Sequence, residues 1–230
     1  MNADELPVGE PVGGSPARRP SRAQLTGRFV SLVPVDPAAH GPGLFSASHD
    51  GSDEAARMWT YLAYGPWADE AGMRAWLELL QASEDPLFLA VIDLASGGAV
   101  GVVTFMSVDL AMRHLELGHL WYAPRAQRTR ANTESVYLML REAFETLGHR
   151  RVEWKCDALN ARSRTAADRL GFTFEGVFRH HMIIKGRNRD TAWYAMLDSE
   201  WPAVKANMER WLEASDPPPS LREMNAALRP

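Results

Sequence analysis

Residues 115–133, LELGHLWYAPRAQRTRANT, decide how this chain is read. The run up to Tyr122 has the composition of a strand, and Pro124 ends it. A polar, basic loop follows, and a strong helix is expected at once over 132–147, with Val136, Leu140, Ala143, Phe144 and Leu147 on one face and Gly148 as its stop. The first N–H groups of a helix lack internal acceptors and carry the positive end of its dipole. An anion such as a pyrophosphate placed at 127–133 would collect several N–H bonds and meet Arg128 and Arg130. Physics alone also allows a solvated helix start with ordinary surface arginines.

Outward from this stretch, strands are expected at 28–35, 87–94 and 100–108, the last two joined in a hairpin through Gly97-Gly98. A helix is expected at 69–82, with Asp69 as N-cap and Trp76, Leu79 and Leu80 at helical spacing. After the central helix come a strand (151–156), a helix (161–170) ended by Gly171, two strands (172–184 and 190–198) and a last helix (199–213). The order predicts an α/β (mixed α+β) fold, a central sheet with helices on its faces. Residues 1–22 read as a mobile arm, 23–214 as one domain, and 215–230, opening on three prolines, as a tail.

Composition narrows the function. A chain of 230 residues, 46% hydrophobic, supports one sizeable core. The N-terminus has neither a basic start nor an apolar stretch, so a cytoplasmic protein without a membrane span is expected. A net charge of -4 argues against a general nucleic-acid binder. Cys156 is the sole cysteine, which excludes an internal disulfide, and it reads as core rather than nucleophile. His180 and His181, adjacent on a strand, are a poor metal pair, and no metal is expected.

Two motifs in order identify a family. The loop Gln127-Arg128-Thr129-Arg130-Ala131-Asn132, followed by Thr133, resembles the acetyl-CoA motif of GNAT acyltransferases, Gln/Arg-x-x-Gly-x-Gly/Ala at a helix start. Arg130 and Asn132 replace its glycine and final Gly or Ala. The block Asn160-Ala161-Arg162-Ser163, then Leu170-Gly171-Phe172, is similar to a later motif of that family. Phe174-Glu175-Gly176-Val177-Phe178-Arg179 and residues 25–32 follow the style of its RimJ/RimL-like branch, the ribosomal-protein N-terminal acetyltransferases.

The resemblance implies a mostly antiparallel GNAT sheet with helices on both faces and direct acetyl transfer from acetyl-CoA to a primary amine, a protein N-terminus or a small molecule, in a ternary complex. It places acetyl-CoA on Leu120, Trp121, Tyr122, the loop from Gln127 to Thr133, Asn160, Ser163 and Arg164, with Asn160 equally suited to cap a helix. Glu116, eleven residues before Gln127, is the candidate base. On an alternating strand it would share a face with Gly118 and Leu120. A strand glutamate paired to a neighbouring cation is the competing reading, with Asp157, His114 and His119 in reserve. Ser163 is the candidate for the acid. The position four residues before the Gly-Phe pair, where many family members carry a tyrosine, is Ala167. Trp59, Tyr61 and Tyr64, on a Gly-Pro loop, and His180 are expected around the acceptor. A domain that binds acyl-CoA without catalysis, as a sensor or interaction module, is the alternative. The apolar surplus of Trp201, Val204, Met208, Trp211 and Leu212 suggests a homodimer, or else closes the core.

Overall fold

The computed structural model describes residues 6–228, and its strands fall where apolar runs meet Gly and Pro turns. Strands β1 (Leu25–Thr26), β2 (Val30–Pro34), β3 (Leu87–Asp93), β4 (Ala99–Asp109), β5 (His114–Tyr122), β6 (Arg151–Asp157), β7 (Thr173–Ile184) and β8 (Arg187–Leu197) form one sheet in the order β1-β2-β3-β4-β5-β6-β8-β7. Every neighbouring pair is antiparallel except β5 and β6, so this is the mixed, mostly antiparallel sheet expected. The β5–β6 connection must cross over, and a helix fills it.

That helix is α4 (Arg130–Arg141), prolonged by a π-helical turn at Glu142–Thr146 and ended at Gly148, whose φ of 74° suits glycine. Its apolar side packs on one sheet face with α5 (Ala161–Leu170), α6 (Trp201–Glu213) and α7 (Leu221–Ala226), around Leu115, Leu117, Trp154, Cys156 and Phe172. The other face is covered by α1 (Pro37–Ser48) and α3 (Glu70–Leu80), with α2 (Asp53–Met58) beside them, around Trp59, Met73, Leu77, Phe88 and Trp121.

Four expectations change. The helix α1 was not read from sequence. Gly41, Pro42 and Gly43 spoil its period, but Asp36 caps it, accepting from the Ala38 and Ala39 amides at 2.9 and 3.1 Å. Helix α3 is capped by Asp69 as expected, yet it buries Met73 and Leu77, while Leu79 is 80% exposed. The segment after the proline cluster is not a bare tail. Residues of α7 pack on the body, with Leu221 and Asn225 buried and the Asn225 amide donating to the Arg169 carbonyl at 2.9 Å. The five large apolar residues of α6 are all buried within the chain, so they close the core rather than offer an association surface. A row of exposed apolar side chains lies instead on the edge strand β7: Phe174, Val177, Phe178, Met182 and Ile183.

Candidate active site

Strands β5 and β6 separate like a fork. They pair only at His114–Glu116 with Arg151–Glu153, so from Leu117 onward the β5 edge facing β6 has no strand partner. A bulge drives the divergence. His119 has φ 50°, and the β4–β5 register jumps from Thr104↔Gly118 to Val102↔Trp121. The Thr104 hydroxyl donates to the Gly118 carbonyl at 2.6 Å and pins the bulge. Free backbone groups in a gap between strands suit an extended amide-bearing chain, which adds to them as a strand would. The bulge also corrects the expected alternation. Glu116 and Gly118 share a face, but Leu120 has turned to the α4 side, where it packs against the Leu115 and Leu117 cluster.

At the open end of the fork stands the head of α4. The N–H groups of Arg128 to Asn132 have no acceptor among the described residues, and the N-cap Thr129 turns its hydroxyl back to the Ala126 carbonyl at 2.7 Å. These N–H groups are thus left for an anion. Gln127 braces the turn, its amide donating to the Tyr122 carbonyl at 3.0 Å. The left-handed position that a glycine would fill belongs to Arg128, with φ 60°, whereas Arg130 begins the helix.

The two arginines divide. Arg128 is exposed beside the bare N–H groups. Arg130 turns away, contrary to its expected anion role: its guanidinium donates to the Ala214 carbonyl (2.5 Å) and to Asp216 (2.6 Å), and lies over the rings of Phe29 and Trp211. The last carbonyls of α6 need a donor, and they capture it. Asn132 and Thr133 likewise accept from Arg169 of α5, each at 3.0 Å. Ala131 only packs against the core, and the Tyr122 hydroxyl bonds Ser135 at 2.6 Å.

Glu116 is buried where β5 and β6 still pair. The Lys155 ammonium lies 3.0 Å from it and 2.8 Å from Glu153, and rests 4.0 Å over the Trp193 ring. Arg151 extends the chain to Glu153 (2.9 Å) and Glu175 (2.6 Å). Burial raises the Glu116 pKa despite the pull of Lys155. Burial alone would raise Glu153 too, but its bonds from Lys155 and Arg151 bring it below the usual range. Both sequence readings of Glu116 are compatible with this: it is paired to a cation, and its carboxylate is more basic than a surface glutamate.

Asn160 caps α5, accepting from the Ser163 amide at 3.1 Å. The Ser163 hydroxyl accepts from the Trp154 indole at 3.0 Å and stands near Cys156. Arg164, expected to contact the cofactor, is turned to β8, donating to the Tyr194 hydroxyl and the Ala158 carbonyl.

On the Glu116 face, the loop between α2 and α3 crosses towards the fork. Trp59 is fully buried, stacked on His49 and packed at steep angles against Tyr64, Trp67 and Trp121, so it builds the wall of the site. The Tyr61 hydroxyl donates to the Leu159 carbonyl at 3.2 Å, tying this loop to the one before α5. Tyr64 stacks on His119 with its hydroxyl buried and unbonded. Lys185, at the β7–β8 turn, donates to the Trp59 and Gly65 carbonyls and closes the loop from the other side. His180 lies on the exposed β7 edge, its amide donating to Asp190 at 2.7 Å.

Sequence reasoning missed Lys155, Arg169 and Glu134. Glu134 is buried and accepts from the amides of Arg28, Phe29 and Val30 at 2.8, 2.6 and 2.8 Å, fastening α4 to the β1–β2 turn. Its one sequence signal is a charged residue inside the apolar period of a helix.

Comparison with known proteins agrees with this architecture. The model of the acetyltransferase (GNAT) domain matches residues 31–173. A GCN5-related N-acetyltransferase from Brucella melitensis is 41% identical, with a TM-score of 0.88 over 93% of this chain and 98% of that one. A GNAT-family protein of Chromobacterium violaceum is 40% identical, with a TM-score of 0.78 over 87% and 100%. YdaF of Bacillus subtilis, provisionally named a ribosomal N-acetyltransferase, is 29% identical over 112 residues, which is 49% of this chain and 61% of YdaF. With a family model spanning the fork, the bare helix head and the Asn160 block, the chain belongs to the GNAT acetyltransferase family.

Proposed function

We propose that this protein transfers an acetyl group from acetyl-CoA to a primary amine, with both reactants held at once and Glu116 as the base. The observation that carries the reading is the coincidence of three features: an unpaired β5 edge, a helix head with free N–H groups, and a buried carboxylate where the fork begins. The residues present fit the cofactor. Free backbone groups of β5 from Leu117 to Tyr122 would hold the pantetheine amides, and the 128–132 amides with Arg128 would hold the pyrophosphate. When bound, acetyl-CoA supplies the acetyl group as a reactive thioester.

The chain's own residues do the rest. An alkylammonium with a pKa of about 8–10 cannot attack, so the Glu116 carboxylate takes its proton. Lys155 pairs with that carboxylate and favours its ionised form, while burial makes it more basic than a surface glutamate. An unpaired β5 amide donates to the oxygen on which charge develops. Ser163, beside Cys156 on β6, is the proposed proton donor to the leaving sulfur, which needs little help with a thiol pKa near 8.5. We further propose that two copies associate through the exposed β7 edge, since unpaired strand groups and apolar side chains coincide there. The test of the main reading is calorimetry with acetyl-CoA beside a free-thiol assay over peptide N-termini, amino acids, polyamines and aminoglycosides. Tight binding with no thiol release from any acceptor would favour a binding module instead.

A further inference from the structure

Arg189 is a half-buried cation with no anion paired to it among the described residues. It lies on β8 in the row Arg189, Thr191, Trp193, on the Glu116 side of the sheet, because Ala192, Tyr194 and Met196 fill the opposite core. Its Nε is sealed from solvent with no hydrogen-bond acceptor, and its guanidinium has no ion pair or ring contact among the described residues. By contrast Arg113, Arg130, Arg151, Arg164 and Arg169, also half-buried, each find acceptors. Buried donors in native proteins are nearly always satisfied, so an unsatisfied one calls for a missing partner.

Its position says where that partner sits. In the β6–β8 register Trp193 opposes Lys155 and Thr191 opposes Asp157, so Arg189 stands one step beyond the end of β6 in the same row, and its charge is felt at His119 of β5 and Cys156 of β6. Arg189 therefore faces the fork near both prongs. The Tyr64 hydroxyl, which like the indole N–H groups of Trp121 and Trp193 is buried without a partner among the described residues, stands over His119. The neighbouring carboxylates are already engaged: Glu116 with Lys155, Asp157 with the Leu159 amide, Asp190 with the His180 amide and the Asn188 side chain. Burial and the charge of Arg189 both lower the His119 pKa, and an imidazole supplies no anion in either protonation state.

We propose that Arg189 receives an oxyanion carried by the acceptor itself, so that the preferred acceptor is an amine with a carboxylate a few bonds from its nitrogen. This rests on the acetyl-transfer reading above and deepens it. A guanidinium partly shielded from water binds an oxyanion through charge-assisted bonds, and the lack of a partner before binding favours an anionic over a neutral acceptor. The carboxylate has two sources, the α-carboxylate of a free amino acid or an acidic side chain next to a peptide N-terminus.

The test uses the full chain and matched pairs: L-serine against L-serinamide, and seryl-aspartyl against seryl-asparaginyl peptide amides. Binding to the CoA-saturated protein is measured by calorimetry and turnover by thiol release. The charged member of at least one pair is expected to bind about tenfold tighter, the loss expected for one charge-assisted bond; which pair responds identifies the source. Arg189→Gln should bring that preference to near unity with unchanged CoA affinity, and Arg189→Lys, which keeps the charge without the fork, should keep part of it. No preference in either pair, a preference that survives Arg189→Gln, or weakened CoA binding in that variant overturns the proposal. Selective binding without thiol release keeps the anion site and removes the acetyl-transfer reading, while turnover without selectivity does the reverse.

Discussion

Arg128 and Arg130 lie two residues apart, yet the structure gives them different work, and separate substitutions should expose it. Arg130→Ala removes a charge-assisted bond to the Ala214 carbonyl, worth about 1.5–3 kcal/mol. It also removes the pair with Asp216, which is 77% exposed and so worth about 0–1 kcal/mol. The contacts over Phe29 and Trp211, at 5.7 and 5.9 Å, add about 0.5–1 kcal/mol. These overlap, so a loss of roughly 3 kcal/mol is expected, or a fall in Tm of about 6–12 °C for a chain this long. Arg128 makes no side-chain hydrogen bond or ion pair among the described residues, so Arg128→Ala should leave Tm within about 1 °C and raise the acetyl-CoA Kd about tenfold. Thermal melts and calorimetry on both variants decide the matter. If Arg130→Ala melts like the parent but loses acetyl-CoA affinity, its guanidinium swings to the phosphates in solution, and the capping argument fails.

Glu116→Gln should lower kcat and erase the acid limb of the pH–rate profile. Because burial raises the Glu116 pKa, activity in the parent should fall as pH drops through a value above the ordinary carboxylate range, and an unchanged profile in the variant would assign the base elsewhere. Glu134→Ala strips three amides of a buried acceptor and should cost about 3–5 kcal/mol in urea unfolding; a loss below about 1 kcal/mol would mean water replaces the carboxylate. Gly171→Ala should cost about 2 kcal/mol or more, since φ is 95° and a Cβ would meet Val204 at 2.8 Å; a wild-type melt would refute that geometry. Light scattering over a dilution series should find twice the chain mass if β7 pairs two copies, and a 25.6 kDa particle at every concentration would exclude it.

Local chemistry made much of this protein legible in its residues alone. Pro124, Gly148, Gly171 and the caps Asp69 and Asn160 mark boundaries through backbone rules that need no neighbour, so the element order, the bare head of α4 and the mixed sheet could be read directly. The two ordered motifs carried the family for the same reason, since each lies within a few residues of one turn. What remained hidden depends on residues far apart in the chain. Arg130 could not be seen to turn from the phosphate site, because its acceptors at Ala214 and Asp216 are more than 80 positions away. The bulge at His119 broke an alternation that a period of two assumes, and so misplaced Leu120. Trp59 looked like a loop ring facing the acceptor until four aromatic neighbours, His49, Tyr64, Trp67 and Trp121, enclosed it. Lys155 reads as an ordinary strand lysine until the parallel register sets Glu116 against β6, and only that pairing turns two carboxylates and an ammonium into a tuned site. Side-chain partners at long separation are chosen by how the layers pack, and packing is a property of the folded chain.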